Sequence, residues 1–520
     1  MLTPTDTDST LPSIISSGPG NYAAPELALT ILFHPDTRRI GQRAVVPKQV
    51  GTTPWILGRR SPAFQNPGDV SSAALEDLHI SRRALQLTYS GKQLTIRRFD
   101  SSSRCRVGAS ELYDCLEIEE EDLRTGIPVM LGHSIILLLR LGPGLDSSVR
   151  KSTCEGLLRG KSAAMARVRE HIASAADSDL DVLIRGETGT GKELVATAIH
   201  GGSQRASRSM VSVNMAAIPS ELAASALFGS ARGAFTGADK SSPGYFDQAQ
   251  GGSLFLDEIG DTSADVQPQL LRALQQREIQ AVGGSIRRVD VRVISATDAA
   301  LEGVGCGFKA ALRHRLGAIE ILLPPLREHP EDIGELLLHF LQINADKVGR
   351  TQLLPDPQSP APLIAAWASL FLSFAAYSWP GNVRELANFA QQVILASEKT
   401  PTLTEPLCAA FAADASRADT AERRPSLRKM QDIDDDAFDQ AMTANGCEVK
   451  RVALQLAVSR AAVYRRIEAS PDYRLVSEIP VEELQFALDA HGGDSAAAAR
   501  QLRVPLGSLR KRLRKLTSDD

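Results

Sequence analysis

Gly186-Glu187-Thr188-Gly189-Thr190-Gly191-Lys192 has the spacing GxxxxGK, directly after an apolar run and before a helical pattern. Glycines at these places let backbone N–H groups turn inward around phosphate oxygens. The helix N-terminus adds positive potential, and Lys192 reaches the β and γ phosphates of a nucleotide such as ATP. The generic motif ends in Ser or Thr to hold magnesium; here Glu193 follows. Further along, Ser253-Leu-Phe-Leu-Asp257-Glu258 is an apolar strand pattern ending on two carboxylates. Asp257 can support Mg2+ and Glu258 can polarise an attacking water. Alone, the first feature reads as a Gly-rich turn and the second as a helix cap or solvated turn. Together they point to nucleotide hydrolysis.

The surrounding patterns supply elements to hold these groups. Asp181-Val-Leu-Ile184, Ser253-Leu-Phe-Leu256 and Val291-Arg-Val-Ile294 read as strands, and Lys192 to His200 as the start of a helix. Residues 156–326 therefore form an α/β domain with a largely parallel sheet. Residues 327–395 read as helical. They include the uncharged stretch Leu363 to Tyr377, about 15 residues against the roughly 20 that span a bilayer, so a buried helix and no membrane contact are expected. From 27 to 141 the runs are short and alternate, with a hairpin over Ala84–Tyr89 and Gln93–Ile96 and a buried strand over Gly132–Leu139, which reads as a small all-β domain. Residues 1–25 are rich in Ser, Thr, Pro and Gly and read as disordered. Residues 142–155 and 396–430 read as linkers.

Length and composition agree. A chain of 520 residues holds three or four domains at about 100–200 residues each. With 43% hydrophobic and 23% charged residues, a mostly disordered chain, a collagen or a disulfide miniprotein is excluded. The net charge, 58 − 62 = −4, says nothing by itself about nucleic acid. Six scattered cysteines without a CxxC pair argue for reduced thiols and against a zinc site or disulfide framework. A basic region followed by an apolar core is missing at the N-terminus, so no signal peptide is read and a cytoplasmic location is expected.

The C-terminal end repeats. Residues 438–470 align without gaps to 484–516 at an offset of 46, matching Gly446 to Gly492, Ala453 to Ala499, Gln455-Leu456 to Gln501-Leu502 and Arg466 to Arg512. Each copy reads as two helices and a turn: Arg451–Ala457 then Arg460–Glu468, and Ser495–Leu502 then Leu506–Leu516. Ser459 and Pro505 are suited to the start of the second helix. The first copy carries five Lys/Arg and three Asp/Glu, the second seven and two. A basic second helix after a turn suits the DNA major groove. Arg460, Tyr464, Arg465 and Arg466 in the first copy, and Ser508, Arg510, Lys511 and Arg512 in the second, are the candidate DNA-binding residues.

Between the two nucleotide motifs lies Gly233-Ala234-Phe235-Thr236-Gly237-Ala238. With Gly251-Gly-Ser-Leu-Phe-Leu-Asp-Glu-Ile-Gly-Asp261, Leu323-Pro-Pro-Leu-Arg-Glu328 and Trp379-Pro-Gly-Asn-Val-Arg-Glu-Leu386, it makes residues 157–395 resemble the bacterial enhancer-binding proteins, AAA+ activators of sigma-54 RNA polymerase. The resemblance implies a homo-oligomer, dimer to hexameric ring, that hydrolyses ATP with Mg2+. Its Phe235–Thr236 loop would touch sigma-54 and remodel the closed promoter complex. It further implies that Asn214 couples the catalytic glutamate to nucleotide state, that Arg384 is the lid's sensor arginine, and that Arg315 reaches a neighbour's γ-phosphate. The sequence departs from the family at Lys309, in place of the first finger arginine, with Arg313 near but in another register. Asp298 stands for the usual Asn, and Ala226, Ser230 and Ala231 replace polar residues before the loop. Lysine cannot form arginine's bidentate fork, so these departures bear on turnover, not on nucleotide binding.

Both C-terminal copies resemble the Fis-type helix-turn-helix of these activators. Either both read upstream activating DNA, or one is a dimerisation or structural remnant. The β domain contains Ile56-Leu-Gly58-Arg59 and Ile80-Ser81-Arg82-Arg83, which resemble a forkhead-associated (FHA) domain. In that resemblance Arg59 and Ser81, with Arg82 beside them, would bind the phosphate of a phosphothreonine protein by charge-assisted hydrogen bonds. Ala84 replaces the family's His, and Ser102-Ser103-Arg104 replaces its Asn-Gly, so a domain kept only for protein contact is the alternative.

The expected architecture is a multidomain chain. An FHA-like β-sandwich (27–141) precedes an α/β AAA+ subdomain (156–326) with a helical lid (327–395), and two helix-turn-helix units (431–472 and 478–520) follow. The expected function is an ATP-hydrolysing, DNA-binding activator of sigma-54 transcription. The rival readings are a DNA-binding competitor or repressor with a weakened ATPase, and an AAA+ remodeller of another substrate.

Overall fold

In the computed structural model the described residues are 25–512, apart from 49–54, 67–70, 100–102, 109, 145–155, 235–239, 302–306, 423–432, 457, 459, 469, 471–472, 474–478, 493, 506–508 and 510–511. The chain divides into two units, Met1–Phe411 and Ala412–Asp520.

The first unit begins with short strands: β1 Pro25–Phe33, β2 Arg43–Val46, β3 Trp55–Leu57, β4 Phe64–Gln65, β5 Ser72–Ala73, β6 Leu85–Tyr89, β7 Gln93–Arg98, β8 Cys105–Val107, β9 Ser110–Glu111 and β10 Cys115–Glu119. A short helix, α1 Glu120–Thr125, precedes β11 Ile127–Leu131 and β12 Ile135–Pro143. They form an eight-stranded sheet, β5-β4-β2-β1-β12-β11-β8-β9, and a four-stranded one, β10-β7-β6-β3. The expected hairpin is β6–β7, with Leu87 opposite Ile96. The β domain starts at Pro25, so the N-terminal disorder expected through residue 25 is corrected there; residues 1–24 lie outside the described residues. Strand β12 starts at Ile135, after a turn at 132–134, and runs on through Pro143 into the expected linker. The remainder of that linker, from 145, lies outside the described residues.

β1 and β12 are buried along nearly their whole length, because each face has a different partner. Leu29, Ile31, Leu137 and Leu139 face the sandwich core. Leu32, Phe33, Ile136 and Leu138 join a second core made by the helices beyond residue 326. Burial on both faces explains why Ile135–Leu139 is a continuous apolar run instead of an alternating one.

The α/β part runs through α2 Ala163–Ala176, β13 Val182–Arg185, α3 Lys192–Gly201, β14 Met210–Asn214, α4 Ser220–Phe228, α5 Tyr245–Gln248, β15 Ser253–Asp257, α6 Gln267–Gln276, the pair β16 Glu278–Gln280 and β17 Ile286–Arg288, β18 Arg292–Thr297, α7 Ala310–Leu316 and β19 Ile319–Leu322. Its sheet is parallel throughout, in the order β14-β15-β18-β13-β19. The Ser162 hydroxyl caps α2 by accepting the Met165 N–H, satisfying a donor that the first helical turn leaves free.

The lid comprises α8 Ile333–Val348, α9 Ala361–Ala375 and α10 Asn382–Ala396. The uncharged stretch is α9, with Trp367, Phe371 and Phe374 buried. Among the described residues, no helix is long and apolar enough to cross a membrane. The linker expected over 396–430 is corrected: residues Glu405–Glu422 form α11. Pro406 is tolerated there because it falls in the first turn, where the N–H has no helical partner. Leu407 and Phe411 pack into the lid. The Phe411 ring lies 5.4 Å from Phe374 and 5.1 Å from Tyr377. Trp379, fully buried in the same aromatic group, donates its indole N–H to the Phe374 carbonyl at 3.1 Å. Trp379→Ala is expected to lower lid stability by about 3–5 kcal/mol, read as an earlier denaturant transition followed by tryptophan fluorescence at the remaining sites.

The second unit holds α12 Asp435–Ala444, α13 Val449–Gln455, α14 Arg460–Glu468, α15 Val481–Ala490 and α16 Ser495–Gln501. The offset of 46 residues carries α12 onto α15 and α13 onto α16, residue for residue. Gly446 and Gly492, at φ 57° and 62°, close the first helix of each copy in the left-handed conformation that glycine adopts without steric cost. Asn445 bonds Gln455 in one copy, and His491 bonds Gln501 at 2.8 Å in the other. Each copy has its own small core, around Phe438 and Val463 and around Leu484 and Leu509.

Candidate functional site

The nucleotide motifs meet at the C-terminal edge of the parallel sheet, where α/β folds bind ligands. β13 ends at Arg185 and delivers Gly186; the loop then turns through Gly189 (φ 81°) and Gly191 (φ 99°) into α3. Lys192 is buried at the helix start. Its Nζ donates to the Gly186 carbonyl at 3.0 Å and lies 3.7 Å from Glu258 Oε1. β15 delivers Asp257, and Glu258 follows at φ 50°, ψ 49°. Between these two strand ends β18 delivers Asp298, whose Oδ2 accepts the Thr188 hydroxyl at 2.9 Å.

The electrostatics suit proton abstraction. Burial holds the Glu258 carboxyl above its ordinary range, opposed by Lys192 and reinforced by Asp298 and Asp257. Asp257 Oδ1 is buried without a hydrogen-bond partner. A carboxylate oxygen withdrawn from water and left without a donor fits a metal ligand. Mg2+ held there with the nucleotide would neutralise phosphate charge. Beside the loop, a cleft of about 320 Å³ is lined by Gly186, Glu187, Thr297, Asp298 and Leu323, among others.

The lid closes over the loop. The Arg384 N–H donates to the Gly189 carbonyl at 3.2 Å. The Asn382 side chain donates to the Thr188 carbonyl at 3.0 Å and to Glu187 at 3.2 Å. Arg327 grips both Glu187 oxygens at 2.8 and 2.5 Å and, as the main cause, pulls that carboxyl down to about 2. A Cβ on Gly189 would lie 2.3 Å from the Gly381 carbonyl, so this close approach requires glycine. Arg327 and Asn382 were not singled out from sequence, although both lie inside the Leu323–Glu328 and Trp379–Leu386 motifs.

Residues 158–322 match the sigma-54 interaction domain, and 327–424 the AAA+ ATPase lid domain. The chain is 36% identical over 371 residues to the DNA-binding transcriptional regulator NtrC of Rhizobium meliloti, covering 69% of each protein. It is 35% identical over 435 residues to the nitric oxide reductase transcription regulator NorR1 of Cupriavidus necator, covering 82% of this chain and 74% of that protein. The chain belongs to the sigma-54-dependent transcriptional activators. A third relative, the signal-transduction and transcriptional-control protein of Clostridium beijerinckii, is 46% identical over 239 residues, and the match spans only 36% of its length. The central part of this sigma-54 activator is accordingly an AAA+ ATPase domain with its lid.

The activator's remaining candidate residues fall into distinct places. Asn214 ends β14 in register with Asp257, but its Oδ1 accepts the Ala216 N–H at 2.9 Å and caps the following turn. The Arg315 guanidinium donates twice, at 3.1 Å, to the Leu274 carbonyl of its own subunit. Arg313 pairs with Glu320 at 3.4 Å, and Lys309 is exposed at the start of α7. Ser230 and Ser242 exchange backbone bonds at 3.0 Å in both directions, closing the stem of the loop that begins at Gly233 and Ala234; Phe235, Thr236, Gly237 and Ala238 lie outside the described residues.

In the β domain, Arg59 and Ser81 come together: the Arg59 N–H donates to the Ser81 carbonyl at 3.0 Å. The Ser81 hydroxyl accepts from Ser103 at 3.0 Å, and Arg82 is exposed. A Cβ on Gly58 would lie 2.2 Å from the Arg82 carbonyl, so the motif glycine is sterically required. In the second unit, Tyr464 and Arg465 are exposed on α14. Arg466 is committed to its own unit: it bonds the Ile433 carbonyl at 2.8 Å and Asp435 at 2.6 Å and lies 5.1 Å over the Phe438 ring. Arg512 is half-buried, the Arg460 side chain is outside the description, and Ser508, Arg510, Lys511 and Ser459 lie outside the described residues.

Proposed function

We propose that this chain is a DNA-bound activator that hydrolyses ATP in a homo-oligomeric ring and remodels the closed complex of sigma-54 RNA polymerase. The observation that supports the reading is the closed Ser230–Ser242 stem, whose two ends bracket Gly233–Ala238 in the sequence of the domain that carries Lys192 and Glu258. Glu258 takes the proton of the attacking water. The loop N–H groups and Lys192 hold the phosphates, and Arg315 leaves the Leu274 carbonyl to meet a neighbour's γ-phosphate. Turnover then depends on ring assembly. Phe235 and Thr236 carry the motion to sigma-54.

The C-terminal copies are helix-turn-helix units of Fis type that hold the ring at upstream DNA. The bonding of Arg466 within its own unit supports a greater DNA-reading share for the second, more basic copy. The β domain is FHA-like, and the proximity of Arg59, Ser81 and Ser103 supports recognition of a phosphothreonine protein. The protein works in the cytoplasm. The deciding experiment is Thr236→Ala in the full chain. ATPase activity is expected to persist while isomerisation of a sigma-54 promoter complex is lost; a variant that opens the promoter like the wild type overturns the reading.

A further inference from the structure

A short segment between the α/β part and the lid is gripped from two sides. It consists of two back-to-back tight turns, Leu326–Glu328 and Pro330–Asp332. On one side Arg327 holds Glu187 of the phosphate loop with both nitrogens. On the other, the β domain supplies Arg140 from β12. Every nitrogen of that guanidinium is engaged: Nε donates to the Arg124 carbonyl at 3.1 Å, Nη1 to Glu331 at 2.5 Å and Nη2 to the Glu328 carbonyl at 2.7 Å. The Arg140 and Glu331 side chains are 16% and 17% exposed, so their attraction is poorly screened by salt.

The segment has little freedom of its own. The Leu326 N–H donates to Asn382 Oδ1 at 2.8 Å, and Asp332, buried with His329, accepts the Ser162 N–H at 2.9 Å. The contact surface around it is apolar and tight: Phe33 and Phe371 rings lie 4.8 Å apart, and a Cβ on Gly334 would come within 2.4 Å of the Leu32 carbonyl. Glu328, whose carbonyl Arg140 holds, follows Arg327 directly. That carbonyl shares its peptide plane with the His329 N–H, which donates to the Leu326 carbonyl at 3.2 Å, while the Glu328 N–H donates to the Pro325 carbonyl at 2.9 Å, so the carbonyl is tied to the hydrogen-bonded turn that carries Arg327.

We infer that Arg140 of the β domain is a positioning residue for the ATPase: through residues 327–331 it holds Arg327 on Glu187 and thereby sets the loop that receives the phosphates. Phosphate binding by backbone N–H groups depends on the loop's shape, and small misplacements of such groups are costly. The β domain is thus part of the nucleotide site's support, whatever it recognises. This rests on the ATP-binding role of the Lys192 loop and not on the FHA-like reading.

The test is a double-mutant cycle in the full chain, read as ADP affinity by calorimetric titration and as the KM and kcat of ATP hydrolysis. Arg140→Gln and Arg327→Gln are each expected to weaken ADP binding and raise KM by about fivefold or more, in the range of ordinary site-to-site coupling. For Arg140→Gln, kcat changes far less than KM, and Arg140→Lys recovers part of the loss. The double variant is no weaker than Arg327→Gln alone, because the relay is already cut. Unchanged ADP affinity in Arg140→Gln, or losses that simply add as they do for independent sites, overturns the inference. If Arg140→Gln does not fold, Glu331→Gln removes the same ion pair and is judged by the same two criteria. A wild-type chain that binds no ADP sinks the nucleotide site itself, and the relay with it.

Discussion

Glu258→Gln is expected to bind ATP with near wild-type affinity and to hydrolyse it about 100- to 10,000-fold more slowly, the usual contribution of a positioned general base. The substitution keeps size and shape but removes the proton acceptor. Glu258 is a favourable base because burial and its neighbours Asp298 and Asp257 raise its proton affinity, while Lys192 keeps the shift within bounds. Its left-handed backbone turns the chain sharply away from β15, just past Asp257. Phosphate release in single-turnover conditions and ATP titration of the same sample separate the two effects. Turnover within tenfold of wild type would place the base elsewhere.

Lys192→Ala should act at the binding step. Lys192 is buried and lies against the Gly186 carbonyl and Glu258. Without it, the carboxylates of Asp257, Glu258 and Asp298 lose the cation that lies 3.7 Å from Glu258 and opposes their charge. Loss of one charged hydrogen bond is worth about 1.5–3 kcal/mol, so ATP affinity should fall by about 10- to 150-fold, with turnover lost at ordinary ATP concentrations. Titration with a fluorescent ATP analogue reads the change. Affinity within threefold of wild type would mean that the phosphates do not lie on this loop.

The local parts of the site were legible because each is written in a few adjacent residues. GxxxxGK dictates a turn and a helix start, and Ser253–Glu258 an apolar strand with carboxylates at its end. The 46-residue repeat was equally legible, since the same apolar and glycine positions rebuild the same helices. The linker reading of 396–430 failed for a different reason. Pro, Ala, Arg and Asp there give no strong helical pattern, and α11 is stabilised by Leu407 and Phe411 on the lid's aromatic group. Isolated helices are marginal until such a face is covered.

Polar side chains were harder still. Arg466 and Arg315 are ordinary basic residues in sequence, and only the fold brings Asp435 to one and the Leu274 carbonyl to the other. Arg140 lies 191 positions from Glu331, and nothing near either residue announces the pair. What the amino-acid order determined alone was the phosphate loop, the carboxylate-bearing strand and the duplicated helical units, because backbone conformation follows from near neighbours. What only the tertiary structure decided was the seating of the β domain on the lid and the Arg140–Arg327 route to the loop, because such contacts depend on which faces distant elements leave uncovered.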